Sequence, residues 1–379
     1  MKINILSAGR AHLLDIAREL DKKGFDVKFY SFVPTKRAMK FGLQKKCSKS
    51  LFSLLFPFVY LAKARPFSRS RFIRHGLRNI QDFITSIYMR PADITVVLSA
   101  EFKISLKKAK RQGSITIVEC GSKHVIEQHK IISVDRIKFS KSFRRELEAY
   151  ISRTLNIYNE ADYITIPSKH VKESFLKQNF PEQKLFVNPY GASLKRFYPT
   201  DKPGIDSYDV IMVGQWSWRK GCDMIVEAIR KLNIRFLHVG ALYDLPFPEN
   251  ENLFTHVNSV DETQLVQYYN QAKVFVLPSR EEGLALVQAQ ALACGLPIVC
   301  SKDTGGRDLR DFLTDKKWII EMQETTAECL ADCIKEALAL ADIQPEGKRD
   351  YAGNDINQLT WEANGKRYGD FLIEIRNLQ

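Results

Sequence analysis

Apolar residues in this chain follow two alternating patterns, short continuous runs and longer segments in which they recur at helical spacing. The runs read as buried strands and the spaced segments as helices with one apolar face. Residues 2–7 (KINILS) form the first run. Leu13, Leu14, Ile16, Ala17 and Leu20 follow as a helix opened by Gly9 and ended by Gly24, and residues 27–32 form the next strand. Further strands are predicted at 94–99, 115–119, 163–166 and 185–188, with a long polar-faced helix over 144–160. Around 197–207 (FYPTDKPGIDS) the periodicity stops and Pro, Gly and Asp accumulate, the composition of a linker. The alternation then restarts, with strands at 210–213, 236–239, 253–256 and 274–277 and helices at 225–232 and from 262. A last helix is predicted over 359–378, with Trp361, Tyr368, Phe371, Leu372 and Ile375 on one face.

Strands alternating with helices in this order predict an α/β protein of two doubly wound, Rossmann-like domains facing across a cleft. The expected division is a first domain over 1–198, a second over 205–356 and a closing helix over 357–379. The first turn, residues 7–12 (SAGRAH), lacks the G-x-G-x-x-G pattern, which argues against a nicotinamide dinucleotide site.

Chemistry concentrates at residues 276–300 (VLPSREEGLALVQAQALACGLPIVC). An apolar strand is broken by Pro278 and Ser279, and the polar loop Arg280-Glu281-Glu282-Gly283 follows. Helical spacing then runs to Gly295 and Pro297, a C′ glycine and a stop, before a new buried strand at 298–300. A loop that delivers charge and a glycine to a helix N-terminus suits an anionic ligand, because free N–H groups and the positive dipole end meet it there. Residues 213–221 (VGQWSWRKG) repeat the strand, loop and helix-start arrangement with two cations, Arg219 and Lys220, able to neutralise a diphosphate.

These stretches resemble the signature of retaining glycosyltransferases of the GT-B fold, family 4. Glu282-Gly283 matches the first half of the family's E-x7-E pair, while its second glutamate position is Gln290. The 213–221 loop resembles the family's G-R-x4-K-G: Lys220 and Gly221 match, Gln215 stands where an arginine is expected, and Arg219 can restore the charge. Tyr190-Gly191 with Phe197 and Pro199, the segment 159–168, Gly305-Gly306 and Trp361-Glu362 also fit the pattern. The resemblance is good over 150–310, moderate for the first strand and helix, and poor over 35–145.

It implies a GT-B fold whose last helix braces the first domain, and transfer of a hexose from a nucleotide-sugar with retained configuration. Glu282, Lys220 and His124 are the implied catalytic residues, with Glu119 and His12 as other acceptor-side candidates. Gly9, Gly214, Gln215, Arg219, Lys220, Val257, Asn258, Glu282, Gly283, Leu284, Ala285, Leu286 and Gln290 are the implied donor-binding set, Gln290 toward the ribose. Cations and backbone N–H groups would hold the leaving-group charge, so neither metal nor cofactor is expected, and no D-x-D pair occurs. A soluble-acceptor transferase, a GT-B nucleotide-sugar epimerase and a binding protein that has lost catalysis are the other readings. Gln215 and Gln290 keep the last of these open.

Charge adds the acceptor side of the picture. The net charge is +13, and residues 27–81 hold thirteen Lys and Arg with no Asp or Glu. Within this region residues 51–62 (LFSLLFPFVYLA) are almost wholly apolar, too short to span a bilayer at about 20 residues. A cationic, aromatic-rich stretch of this kind over 36–80 predicts association with an anionic membrane surface, and hence a glycan or lipid-linked acceptor. Nucleic acid is not expected, since no binding module is recognisable. Seven cysteines without a C-x-x-C pair indicate a reducing compartment. The N-terminus reads as a strand, not a signal peptide, so the expected location is the cytoplasmic face of the membrane.

Overall fold

The computed structural model describes residues 1–55, 71–134, 141–200, 208–343 and 356–378. Two parallel sheets organise them. The first has strand order β3-β2-β1-β4-β5-β6-β7, from β1 (Lys2–Ser7), β2 (Asp26–Ser31), β3 (Ser48–Ser50), β4 (Ile94–Leu98), β5 (Ile115–Glu119), β6 (Tyr163–Ile166) and β7 (Leu185–Val187). The second has order β10-β9-β8-β11-β12-β13, from β8 (Tyr208–Val213), β9 (Phe236–Val239), β10 (Phe254–Val257), β11 (Ala272–Leu277), β12 (Ile298–Ser301) and β13 (Ile319–Met322). The central strands are apolar on both faces because helices cover both: Val274, Phe275, Val276, Ile298 and Val299 have no exposed surface.

In each sheet the strand order reverses at one place, between β1 and β4 and between β8 and β11. Crevices at the carboxyl ends of strands open at such points. The loops there lead into helices α1 (Leu13–Lys22) after β1, α2 (Thr35–Lys40) after β2, α3 (Arg71–Tyr88) before β4, α4 (Lys103–Arg111) after β4 and α5 (Val125–Val134) after β5. Helices α6 (Lys141–Glu160) and α7 (Lys169–Leu176) flank β6. In the second unit, α8 (Cys222–Leu232) follows β8, α9 (Leu265–Tyr269) precedes β11, α10 (Leu286–Ala293) precedes β12 and α11 (Ala327–Asp342) follows β13.

The last helix, α12 (Trp361–Asn377), belongs to the second half of the chain but packs on the first sheet's side. Phe371 stacks on Phe186 with centroids 4.0 Å apart, and Asn364 donates to the Pro189 carbonyl at 2.8 Å. Gly365 lies so close to α1 that a Cβ there would sit 2.3 Å from the Glu19 Cβ. The apolar face read from the sequence, Trp361, Tyr368, Phe371, Leu372 and Ile375, is the buried face.

Several local expectations are corrected. Gly9 does not open a helix: α1 begins at Leu13, after a loop in which Ala11 takes φ +36. The helix expected from 262 is a 3-10 turn, Glu262–Gln264, capped by Asp261, followed by the short α9. Of the apolar stretch 51–62 only residues 51–55 are described, and of the linker 197–207 only 197–200; the rest of both lies outside the described residues. Among the described residues no helix is long and apolar enough to cross a membrane.

Candidate active site

The loops after β8 and β11 dock on each other through backbone. Gly221 takes φ +75, and a Cβ there would meet the Pro278 carbonyl oxygen at 2.3 Å, so only glycine fits. Arg280 staples the pair: its backbone N–H donates to the Arg219 carbonyl at 2.8 Å, and its guanidinium bonds both Asp223 carboxylate oxygens at 2.7 and 2.6 Å. That guanidinium also lies over the Trp218 ring at 4.2 Å. Arg280 and Asp223 were not singled out from the sequence, because nothing in their spacing shows that two loops 57 residues apart would meet.

The docking delivers two cations to two carboxylates. Lys220 Nζ donates to Glu282 Oε2, and Arg219 reaches Glu282 Oε2 at 3.4 Å, Glu281 Oε2 at 3.2 Å and the Glu281 carbonyl at 2.9 Å. Burial would push the Glu282 carboxyl up, but Lys220 and Arg219 outweigh it and hold it below its ordinary value. Next to it, helix α10 starts at Leu286 with Ala285 as N-cap and no side chain capping it, so its first N–H groups are available to a ligand. Gly214 closes the loop's other end with φ +141; its carbonyl accepts from His238 Nε2 at 2.8 Å, and a Cβ on Gly240 would lie 1.8 Å from it.

The first unit closes over this loop. A Cβ on Gly283 would stand 2.0 Å from the Gly121 carbonyl oxygen, and Ser168 Oγ donates to the Gly283 carbonyl at 2.9 Å. Gln128 of α5 donates to Glu281 Oε2 at 3.3 Å, and Arg10 after β1 pairs with Glu262. Two cavities flank the contact. One, of about 270 Å³, is lined by Gln215, Arg219, Trp218, Tyr243 and Ile132 among others. The other, of about 290 Å³, lies in the first unit and is lined by His12, Ser99, Ser122, Lys123, Gln128 and Tyr150 among others.

The acceptor-side candidates separate. His12 lines the second cavity, with Nε2 3.1 Å from Glu119 Oε1 and 3.2 Å from the Tyr190 hydroxyl. Glu119 is itself fixed by Thr165. His124 is built into the core instead: its ring packs edge-on against Phe175 at 4.9 Å, its Nδ1 accepts from the Ile126 N–H at 3.4 Å, and burial pulls its pKa down to about 4. It borders a different cavity, with Asn159, Gln178 and Phe180. Gln290 is buried, and its Oε1 accepts from the Tyr269 hydroxyl at 3.1 Å. Val257 ends β10 half-buried, while Asn258 and Gly9 are exposed in their loops; Leu284 and Ala285 are buried beside Leu286 at the start of α10.

Residues 207–339, the sheet that carries Lys220 and Glu282, match the family described as glycosyl transferases group 1. The match covers 133 of the chain's 379 residues and takes in both charged groups. Curated proteins to which the chain is similar include the GDP-mannose-dependent alpha-(1-6)-phosphatidylinositol monomannoside mannosyltransferase of Mycolicibacterium smegmatis, 24% identical over 57% of this chain and 63% of that protein. The capsular polysaccharide biosynthesis glycosyltransferase CapM of Staphylococcus aureus is 22% identical over 59% of this chain and 66% of that protein. These matches therefore span a little under two thirds of the relatives' own length. Among solved structures, sucrose-phosphate synthase of Thermosynechococcus elongatus superposes over 100% of both chains with TM-score 0.67 at 16% identity. Anabaena HepE, solved with UDP and glucose, covers 99% of this chain with TM-score 0.60 at 13% identity. The fold is GT-B, as the sequence resemblance implied.

Proposed function

We propose that this chain is a retaining hexosyltransferase that moves a sugar from a nucleotide-sugar to a lipid-linked or surface-glycan acceptor at the cytoplasmic face of the membrane. The observation that carries this reading is the Glu282 carboxylate, clamped by Lys220 and Arg219 beside the open N-terminus of α10 and under the first unit's Gly121 turn. In this reading the donor diphosphate lies between the two cations and the N–H groups of residues 284–286, which stabilise the charge that develops as the glycosidic bond breaks. Glu282 binds the donor sugar's hydroxyls. The sugar faces the cavity at His12, where the acceptor hydroxyl enters. With its Nε2 proton given to Glu119, the His12 ring keeps a lone pair on Nδ1 and can take the acceptor's proton. His124, neutral and enclosed, serves packing.

The acceptor class rests on two supports. One is the activity named for two similar proteins, a phosphatidylinositol monomannoside mannosyltransferase of Mycolicibacterium smegmatis and a capsular polysaccharide biosynthesis glycosyltransferase of Staphylococcus aureus. The other is an apolar surface on α3, where Phe83 and Ile87 are 56% and 55% exposed one turn apart, in a region whose neighbouring segment is strongly basic. The test is turnover of a nucleotide-sugar panel by the wild type and Glu282→Ala, with lipid extract as acceptor and the anomer read by NMR. One donor turned over by the wild type and not by the variant, with retained configuration, supports the proposal; an inverted product refutes the retaining step. Binding without turnover, with or without extract, would favour a binding protein that has lost catalysis. Gln290, whose oxygen is engaged by Tyr269, is the feature that fits that second reading.

A further inference from the structure

Glu281 is the carboxylate of the clamp that the donor contacts proposed above do not use. It is 0% exposed, its Oε1 has no hydrogen-bond partner, and its Oε2 is shared by Arg219 at 3.2 Å and Gln128 at 3.3 Å. A buried carboxylate with one bare oxygen and one partly exposed cation for company is poorly compensated. Burial, then the charge of Glu282, push its pKa up against the pull of Arg219. Within the loop the charges nevertheless balance: Arg219 and Lys220 offset Glu281 and Glu282.

A diphosphate changes that balance. It adds two negative charges beside two carboxylates, and Arg219, the cation nearest Glu281, is the one that must turn toward it. We propose that Glu281 is a positioning residue for the donor: it holds the Arg219 guanidinium in place for the diphosphate and takes a proton from solvent when the diphosphate claims that guanidinium. This rests on the donor reading above. The charged groups facing Glu281 are Arg219 from the loop after β8, Glu282 beside it, and Lys123 from the loop after β5. Lys220 is committed to Glu282, and Lys123 has Asp303 as its nearest carboxylate at 4.0 Å. Among the described residues Lys123 is thus the one group that could replace Arg219 without a proton, and the experiment distinguishes the two.

The sign of the linkage is fixed. A proton taken up on binding makes affinity rise as pH falls, by up to about ten-fold per pH unit, from the complex's pKa down to the free protein's already raised one. Nucleotide-sugars are the right probe, because their diphosphate diester does not titrate in this range. UDP-glucose and GDP-mannose binding is measured by calorimetry at pH 7 in two buffers of different ionisation enthalpy. The expected result is a proton uptake approaching one per donor in the wild type, near zero in Glu281→Gln, and several-fold tighter binding by that variant at pH 8. Arg219→Gln, which removes the cation that favours the ionised Glu281, should bind weakly and with reduced uptake. Donor binding without proton uptake, or with the same uptake in Glu281→Gln, overturns this inference and leaves the donor reading standing. If neither nucleotide-sugar binds at any pH, both fall.

Discussion

Lys220 and Glu282, 62 residues apart in the chain, are joined side chain to side chain where two strand-end loops meet. The pairing leaves each with little solvent, at 11% and 16% side-chain exposure, so both must be placed by the loops and not by chance encounter. Glu282→Ala and Lys220→Met should each lower kcat by roughly 10²–10³-fold, the usual effect of removing one preorganised charge at a site of developing charge. Because each removes the other's partner, the double variant should lose far less than the product of the two. Single-turnover assays with saturating donor measure this; additive losses would mean the pair does not act as a unit.

At Gly283 the two halves meet backbone to backbone. A methyl there would need the space of the Gly121 carbonyl oxygen, 2.0 Å away, and of the Ser122 Cα at 3.1 Å. Neither is the far end of a flexible side chain, so Gly283→Ala should hold the halves apart instead of being absorbed locally. The expected outcome is a larger radius of gyration by small-angle scattering, a fall in activity of more than about ten-fold, and little change in the secondary-structure signal. An unchanged radius with normal turnover would show that the closed contact is not the working arrangement.

The strands and the loops that carry Lys220 and Glu282 were legible in the sequence because they rest on short-range signals. Residues 115–119, 163–166 and 236–239 are strands over the predicted spans, since an apolar run between polar turns has few alternatives. Ser48–Ser50 was invisible: a three-residue edge strand with no apolar side chain carries no pattern, only a neighbour in β2. Glu281 escaped for a different reason. In sequence it is one of two adjacent glutamates in a polar loop, and only the arrival of Arg219 and Gln128 from elsewhere makes it a buried charge. His124 shows the converse. Its position after β5 suited catalysis, but its neighbours Tyr158 and Phe175, 34 and 51 residues on, enclose it.

Three histidines make the fold acid-sensitive. Burial, first among the causes, lowers His124 and His238 to about 4 and His170 to about 3. The unfolded chain takes these protons near the ordinary histidine value of about 6.5, before the folded state does. Stability from these groups is therefore complete above that value and is lost as pH falls toward 4. The slope is up to roughly 1.4 kcal/mol per pH unit for each group. His170 Nε2 has no hydrogen-bond partner, so His170→Asn should flatten the slope without removing a bond at that atom. Denaturant midpoints between pH 7 and pH 4.5 test this, and a pH-independent wild type would rule it out.

The α3 surface offers the sharpest test of the membrane proposal. Phe83 and Ile87 stand one helical turn apart with more than half of each side chain in water, and Tyr88 beside them is 48% exposed. Leaving three large, half-exposed side chains in solvent forgoes roughly half of the ~1.5–3 kcal/mol that full burial of such a side chain is worth, which a lipid interface would recover. The nearby lysines and arginines add roughly 1 kcal/mol each toward anionic lipid, an attraction that salt weakens. Wild type should therefore float with phosphatidylglycerol vesicles at low salt, less at 0.5 M salt, and not with neutral phosphatidylcholine vesicles. Phe83→Ser with Ile87→Ser should lose flotation while keeping nucleotide-sugar hydrolysis, because α3 lies outside the Lys220–Glu282 clamp. Equal flotation of the double variant would assign membrane contact to the basic segment alone, and absence of flotation in the wild type would point to a soluble acceptor.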